Sequence, residues 1–256
     1  MDKIKYISFA FSGIIIYCSL LTVLPPLFGS YIAAKIVSLI FVSILGALYA
    51  KKVMNEPLTT AKLLPTRRFI FVMYSVIAVF SVVSFFTSQF LLNFYTDAVF
   101  SASQTYTAQL SLSEQLLSIC VSVLLTPIGE EIVFRGFMFR QLAKINRVFG
   151  LVMSSVIFAL WHGTVIHLYT ALIGGLILGC IYDKTQNILF SISAHALFNG
   201  LTVLLSIIFG SICLSWVWII VLNALLLTVV VVLFKTRNPN VPQDLTIECD
   251  KTRRQK

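Results

Sequence analysis

Residues 124–137 read LLTPIGEEIVFRGF and place two adjacent carboxylates, Glu130 and Glu131, and the guanidinium of Arg135 inside an apolar run. Because an ionised side chain in hydrocarbon is costly, such groups face the interior of a helix bundle and usually have a function. The whole chain is 58% hydrophobic and 11% charged, with a mean hydropathy of +0.94. These values exclude an ordinary soluble domain and predict a membrane protein.

Apolar runs long enough to cross a bilayer as helices recur along the 256 residues. They predict an all-α, polytopic bundle of about eight transmembrane helices, at 6–27, 31–50, 69–92, 115–132, 148–163, 166–182, 188–209 and 215–234. Every intramembrane acid and all three histidines lie in the later spans, so we expect one transmembrane domain at 1–234 with its catalytic core at 113–209. Residues 235–256 are polar and are expected to form a disordered cytoplasmic tail.

Basic residues fall on one side of the membrane under this count, whereas the loop at 93–114 has no Lys or Arg. Since Lys and Arg are enriched on the cytoplasmic side, both termini are expected in the cytoplasm. Lys35 is the exception, and we interpret it as a side chain that snorkels to the outer interface. The net charge of +9 then reflects topology and contact with anionic lipid, and the absence of a folded basic domain excludes nucleic-acid binding.

Glu131 and Arg135 lie four residues apart, which places them on one helix face and predicts an ion pair. Glu130 is rotated by about 100° from its neighbour. It is therefore predicted to be free to act as a general acid or base. The alternative is that both glutamates only cap or pair near the cytoplasmic surface, with Arg140 and Lys144 as further partners.

Three further polar side chains accompany these acids. His162 follows Glu130 by 32 residues, and the polar turn near Asn146 lies almost midway, so an antiparallel hairpin would place the two at the same depth. His195 and Asn199, four residues apart, project from one face of a later helix. Two donors aimed at one point can stabilise an oxyanion. They can equally hold helices together by hydrogen bonds.

A metal is possible but not required by this pattern. Glu130, His162 and His195 could hold zinc with a water in the open position. However, HExxH is absent, and the five cysteines show no zinc-ligand spacing. A water activated by Glu130 and His162, with an oxyanion stabilised by His195 and Asn199, works without a metal.

Pro127 precedes Glu130 by three residues and removes one backbone hydrogen bond. It predicts a kink that would open a water-filled cavity beside the carboxylate. The alternative is a proline that the membrane helix simply tolerates.

Three motifs follow one another over about 70 residues: EE-x-x-x-R at 130–135, F-x-x-x-H at 158–162 and H-x-x-x-N at 195–199. In this order, on successive predicted spans, they resemble the motifs of the CAAX protease and bacteriocin-processing family of intramembrane proteases. The resemblance implies a glutamate-dependent endopeptidase, historically also labelled a metalloprotease, with a site that opens toward the cytoplasm.

The resemblance also implies roles for individual residues. Glu130 and His162 would activate the water, His195 and Asn199 would stabilise the oxyanion, and Glu131 and Arg135 would support the site. Phe158 is expected to pack against its neighbours.

The expected activity is hydrolysis of a peptide bond in a membrane-associated peptide or protein, such as a pheromone or bacteriocin precursor, at a bacterial cell membrane. The alternative is a non-enzymatic immunity or regulatory protein that keeps the same fold. A transporter with a proton relay is disfavoured because the two halves of the chain show no repeat.

Overall fold

The computed structural model describes residues 30–52, 64–94, 110–210 and 212–236, together with Leu58 and isolated positions between 7 and 23. These residues form helices joined by short connections. In chain order the helices are α1 (Tyr31–Lys52), α2 (Arg67–Leu92), α3 (Leu112–Ala143), α4 (Arg147–Trp161), α5 (Val165–Thr185), α6 (Ile188–Phe209) and α7 (Trp216–Lys235).

Within the described part of the chain, six helices are long and apolar enough to cross a membrane, namely all except α4. The protein is therefore an all-helical, multi-pass membrane protein. The predicted first span at 6–27 and the tail from residue 237 lie outside the described residues. The count of eight spans, the cytoplasmic position of both termini and the domain at 1–234 remain predictions.

The helix that carries the two glutamates is longer than predicted. The expected span ended at residue 132, whereas α3 continues to Ala143, for a total of 32 residues or about 48 Å. Its hydrogen bonds switch from the α to the π register in two places, Val121–Leu125 and Ile132–Phe139. These two π-helical segments flank the α-helical turn Thr126–Glu131. Such π segments are often found at functional sites.

The span predicted at 148–163 is also different. It forms α4, a helix of only 15 residues or about 22 Å, which is shorter than the hydrocarbon core of about 30 Å. The chain reverses at Gly163, whose φ of 70° lies in the left-handed region that favours glycine. It then returns as α5.

Small residues allow the helices around the glutamates to approach closely. A methyl group on Gly175 of α5 would lie 3.0 Å from Cα of Ser155 on α4. One on Gly129 of α3 would lie 2.6 Å from the Leu39 side chain of α1. This close approach is typical of packing between membrane helices, and it brings α1, α4, α5 and α6 around the central part of α3.

Candidate active site

Glu131 and Arg135 form the predicted ion pair. Arg135 Nη1 donates to Glu131 Oε1 at 2.9 Å, and both side chains are buried, with exposed fractions of 1% and 0%. Arg135 Nη2 donates to the carbonyl of Gly175 at 3.1 Å, and the guanidinium lies 4.7 Å from the centre of the Phe158 ring. The pair therefore ties α3 to both arms of the α4–α5 hairpin.

Glu131 accepts two more hydrogen bonds, both from α6. His195 Nδ1 lies 2.9 Å from Oε1, and the Ser191 hydroxyl donates to Oε2. Ser191 was missed by the sequence reasoning, although it lies four residues before His195 and thus on the same helix face. With three donors, the Glu131 carboxylate ties α3 to α6, and through Arg135 it is linked to α5.

This contact fixes the tautomer of the neutral His195 ring. An ionised carboxylate only accepts hydrogen bonds, so Nδ1 carries the proton and Nε2 of the neutral ring has a lone pair. Nε2 faces Glu130 Oε2 at 3.8 Å. The neutral ring thus presents a basic nitrogen to the site, and it can donate to an oxyanion only as an imidazolium.

His162 follows the last residue of α4 and is anchored in the same way. Its Nδ1 lies 2.8 Å from the carbonyl oxygen of Phe158, which can only accept, so Nδ1 is protonated and Nε2 has a free lone pair. The Phe158 ring packs edge-to-face on His162, with centroids 4.7 Å apart, and on His195, with centroids 5.9 Å apart. Phe158 therefore packs, as expected, and its ring contacts both imidazoles.

Glu130 differs from its neighbour in its contacts. It is almost buried, with an exposed fraction of 6%, but none of the described residues donates a hydrogen bond to its carboxylate. Within the described part of the chain, no hydrogen bond or ion pair joins it to His162, although the sequence placed the two at one depth. Glu130 is thus a buried carboxylate whose acceptor positions are not used by any described residue.

Asn199 lies one helical turn after His195 on α6. Its Nδ2 donates to the backbone carbonyl of Ser122 on α3 at 2.8 Å. The sequence left open whether Asn199 binds an oxyanion or joins two helices. One of its two N–H groups does join α6 to α3, and the second remains for another acceptor.

The zinc set considered from the sequence does not fit this arrangement. Among the described residues, no group of three or more His, Cys, Asp or Glu side chains is arranged to hold a metal ion. Glu130 Oε2 and His195 Nε2 are 3.8 Å apart, and within the described part of the chain no hydrogen bond or ion pair joins His162 to either side chain. No catalytic step is therefore assigned to a metal.

Comparison with known proteins supports the resemblance carried by the three motifs. The family profile described as "Type II CAAX prenyl endopeptidase Rce1-like" matches residues 111–201, a range that contains all three. This segment is therefore similar to the type II CAAX prenyl endopeptidases that the profile describes. A Bacillus subtilis (strain 168) protein with the description "Putative membrane peptidase YdiL" is 38% identical over 94 residues, or 36% of this chain. The aligned part spans 38% of that relative's length, and no solved structure matches the chain.

The matched segment at 111–201 comprises most of α3 to α6, yet one charged residue of the site lies outside it. Lys35 on α1 is half-buried and interacts electrostatically with Glu130. It lies one turn before Leu39, the residue that packs on Gly129. Lys35 is therefore not only the interfacial residue that the sequence suggested.

The site is close to electrically neutral. Two carboxylates, Glu130 and Glu131, are accompanied by two basic side chains, Lys35 and Arg135, so the formal charges of these four groups cancel. Charges taken out of water are tolerated when they are compensated in this way.

Proposed function

We propose that the protein is an intramembrane endopeptidase that hydrolyses a peptide bond in a membrane-associated peptide or protein, with Glu130 as the general base. The observation that carries this proposal is the contrast between two neighbouring carboxylates. Glu131 accepts hydrogen bonds from three side chains, whereas Glu130 accepts none from the described residues and lies 3.8 Å from a basic imidazole nitrogen.

The proposed reaction needs only groups of this chain and one water. Glu130, with Nε2 of His162, takes a proton from the water, and the resulting hydroxide forms a bond to the carbonyl carbon of the substrate. The N–H of Asn199 and His195 stabilise the oxyanion; His195 does so as an imidazolium, with a proton that Nε2 takes up from solvent before the reaction and a positive charge that Glu131 balances. When the C–N bond breaks, the proton held by Glu130 passes to the leaving amine.

We also propose that the site opens toward the cytoplasmic side of a bacterial cell membrane. His195 is seven residues from the start of α6 at Ile188, or about 11 Å along the helix. The basic residues Arg147 and Lys184 lie at the corresponding ends of α4 and α5. Because basic residues mark the cytoplasmic side, the site would be nearer to that face.

The substrate class remains that suggested by the resemblance, a peptide precursor such as a pheromone or bacteriocin. The test is co-expression of the protein with candidate precursors from neighbouring genes, followed by mass spectrometry of the peptides. Glu130→Gln is expected to abolish cleavage while the protein still inserts. Glu114→Gln, at an exposed position near the start of the same helix, is the control that should keep activity.

Intact cleavage by Glu130→Gln would refute the proposed base. A phenotype assay run beside the cleavage assay separates the enzyme from a non-enzymatic immunity or regulatory protein. If Glu130→Gln abolishes cleavage but keeps full protection against the bacteriocin, the protective role depends on binding and not on hydrolysis.

A further inference from the structure

Pro127 lies where the first π-helical segment of α3 returns to α-helix. The backbone N–H of Thr126 donates to the carbonyl of Val121, five residues earlier, which is the π register. In that register the next donor would be the N–H of residue 127 and its acceptor the carbonyl of Ser122. Proline has no N–H, so this bond cannot form.

The carbonyl of Ser122 is consequently left without a donor from its own helix. In the α register its donor would be Thr126, but that N–H is used by Val121. In the π register its donor would be Pro127, which has none. An unpaired carbonyl inside a membrane protein is costly, and here the side chain of Asn199 donates to it at 2.8 Å.

We propose that Pro127 is a positioning residue for Asn199. Because residue 127 has no N–H to bind Ser122 in the π register, that carbonyl is left to the Asn199 amide. An amide nitrogen is planar and carries two N–H groups, so a bond made by the first fixes the direction of the second. The second N–H is the one that stabilises the oxyanion, and in this respect the inference rests on the proposed function.

The kinetic test is a double-mutant cycle. Pro127→Ala restores a backbone N–H that can bind Ser122 and displace Asn199. We expect kcat to fall by about tenfold in the native background, with KM within about twofold, since losing one oxyanion donor outright costs about 10²–10³ in kcat. In an Asn199→Ala background the same change should lower kcat by less than about twofold, because the function that it disturbs is already absent.

Equal losses of kcat in both backgrounds would overturn the inference, because Pro127 would then act independently of Asn199. No loss in the native background would overturn it as well. Ser193→Ala is the matched control, since Ser193 also lies on α6 but hydrogen-bonds to Tyr74 of α2. The effects of Ser193→Ala and Pro127→Ala on kcat should be additive. A departure from additivity would indicate that Pro127→Ala distorts the helices generally.

A second cycle does not depend on proteolysis. Asn199→Ala should lower the Tm in detergent by about 2–4 °C in the native background, as expected for one lost hydrogen bond. In the Pro127→Ala background it should have little effect, because the new backbone N–H replaces the lost donor. Equal shifts would overturn the hydrogen-bond exchange. If the cycle succeeds while the native protein cleaves no peptide, the contact is right and the proposed function is wrong.

Discussion

Glu131→Gln should separate the structural carboxylate from the proposed catalytic one. Glu131 is fully buried and accepts hydrogen bonds from Arg135, His195 and Ser191. A glutamine has the same shape but no charge, and its NH₂ group cannot accept from a donor. The substitution therefore leaves the guanidinium of Arg135 buried without its counter-charge and removes the group that orients His195.

The magnitude follows from this loss. Breaking a buried ion pair by removing one partner costs about 3–5 kcal/mol. A protein of this size loses about 2–4 °C of Tm per kcal/mol, which gives a decrease of about 6–20 °C. Glu130→Gln should lower the Tm by less than half as much, because no described residue donates a hydrogen bond to Glu130 and its nearest imidazole nitrogen is 3.8 Å away.

The assay is thermal unfolding of the purified variants in one detergent, followed by the fluorescence of the three tryptophans. The double variant Glu131→Gln with Arg135→Met removes both charges and should be more stable than Glu131→Gln alone. The reasoning fails if Glu131→Gln unfolds at the same temperature as Glu130→Gln. It fails equally if the double variant is the least stable, because Arg135 would then contribute independently of its partner.

Two further variants test the surroundings of the site. Lys35→Met should lower kcat by about tenfold or more, since it removes the charge that interacts with Glu130. Lys35→Arg keeps the charge and should keep most of the activity. Equal losses of kcat in both variants would show that the shape of the side chain, and not its charge, matters at this position. Gly175→Val should destabilise the protein by about 1–3 kcal/mol, because a Cβ would lie 3.0 Å from the backbone of Ser155 and would push α4 and α5 apart. It should also lower cleavage, since the Gly175 carbonyl holds Arg135 in place. A Gly175→Val protein with native Tm would contradict the close packing of α4 and α5.

Local patterns predicted local contacts well. The pairing of Glu131 with Arg135 depends only on the spacing of four residues along one helix, and the structure confirms it. The three motifs also lie within the segment that matches the CAAX endopeptidase profile. The ion pair is predictable because it depends on a contact within about one helical turn.

Other features depend on contacts between helices that are distant in sequence. Lys35 interacts with Glu130 because Leu39 packs on Gly129, and no property of the α1 sequence alone indicates that partner. The extension of α3 to Ala143 was missed because Arg135 interrupts the apolar run. That charge is tolerated because Glu131, Gly175 and Phe158 surround it.

Backbone changes were harder to anticipate. From the sequence, Pro127 predicts a kink in the helix, and the alternative is a proline that the helix simply tolerates. In the structure the helix continues through the proline, with a π-helical segment directly before it. The role of Ser122 was not predictable, since its contribution is a main-chain carbonyl that any residue would supply.

The shortness of α4 has a consequence for the surrounding lipid. Its apolar outer side chains include Val148, Val152 and Leu160, all exposed on the protein surface. The helix is about 8 Å shorter than the hydrocarbon layer that it faces. Acyl chains beside it must therefore compress, or headgroups must dip toward the turn at Gly163. Either response would thin the bilayer locally beside the end of α4 that carries His162, which is the end opposite to Arg147.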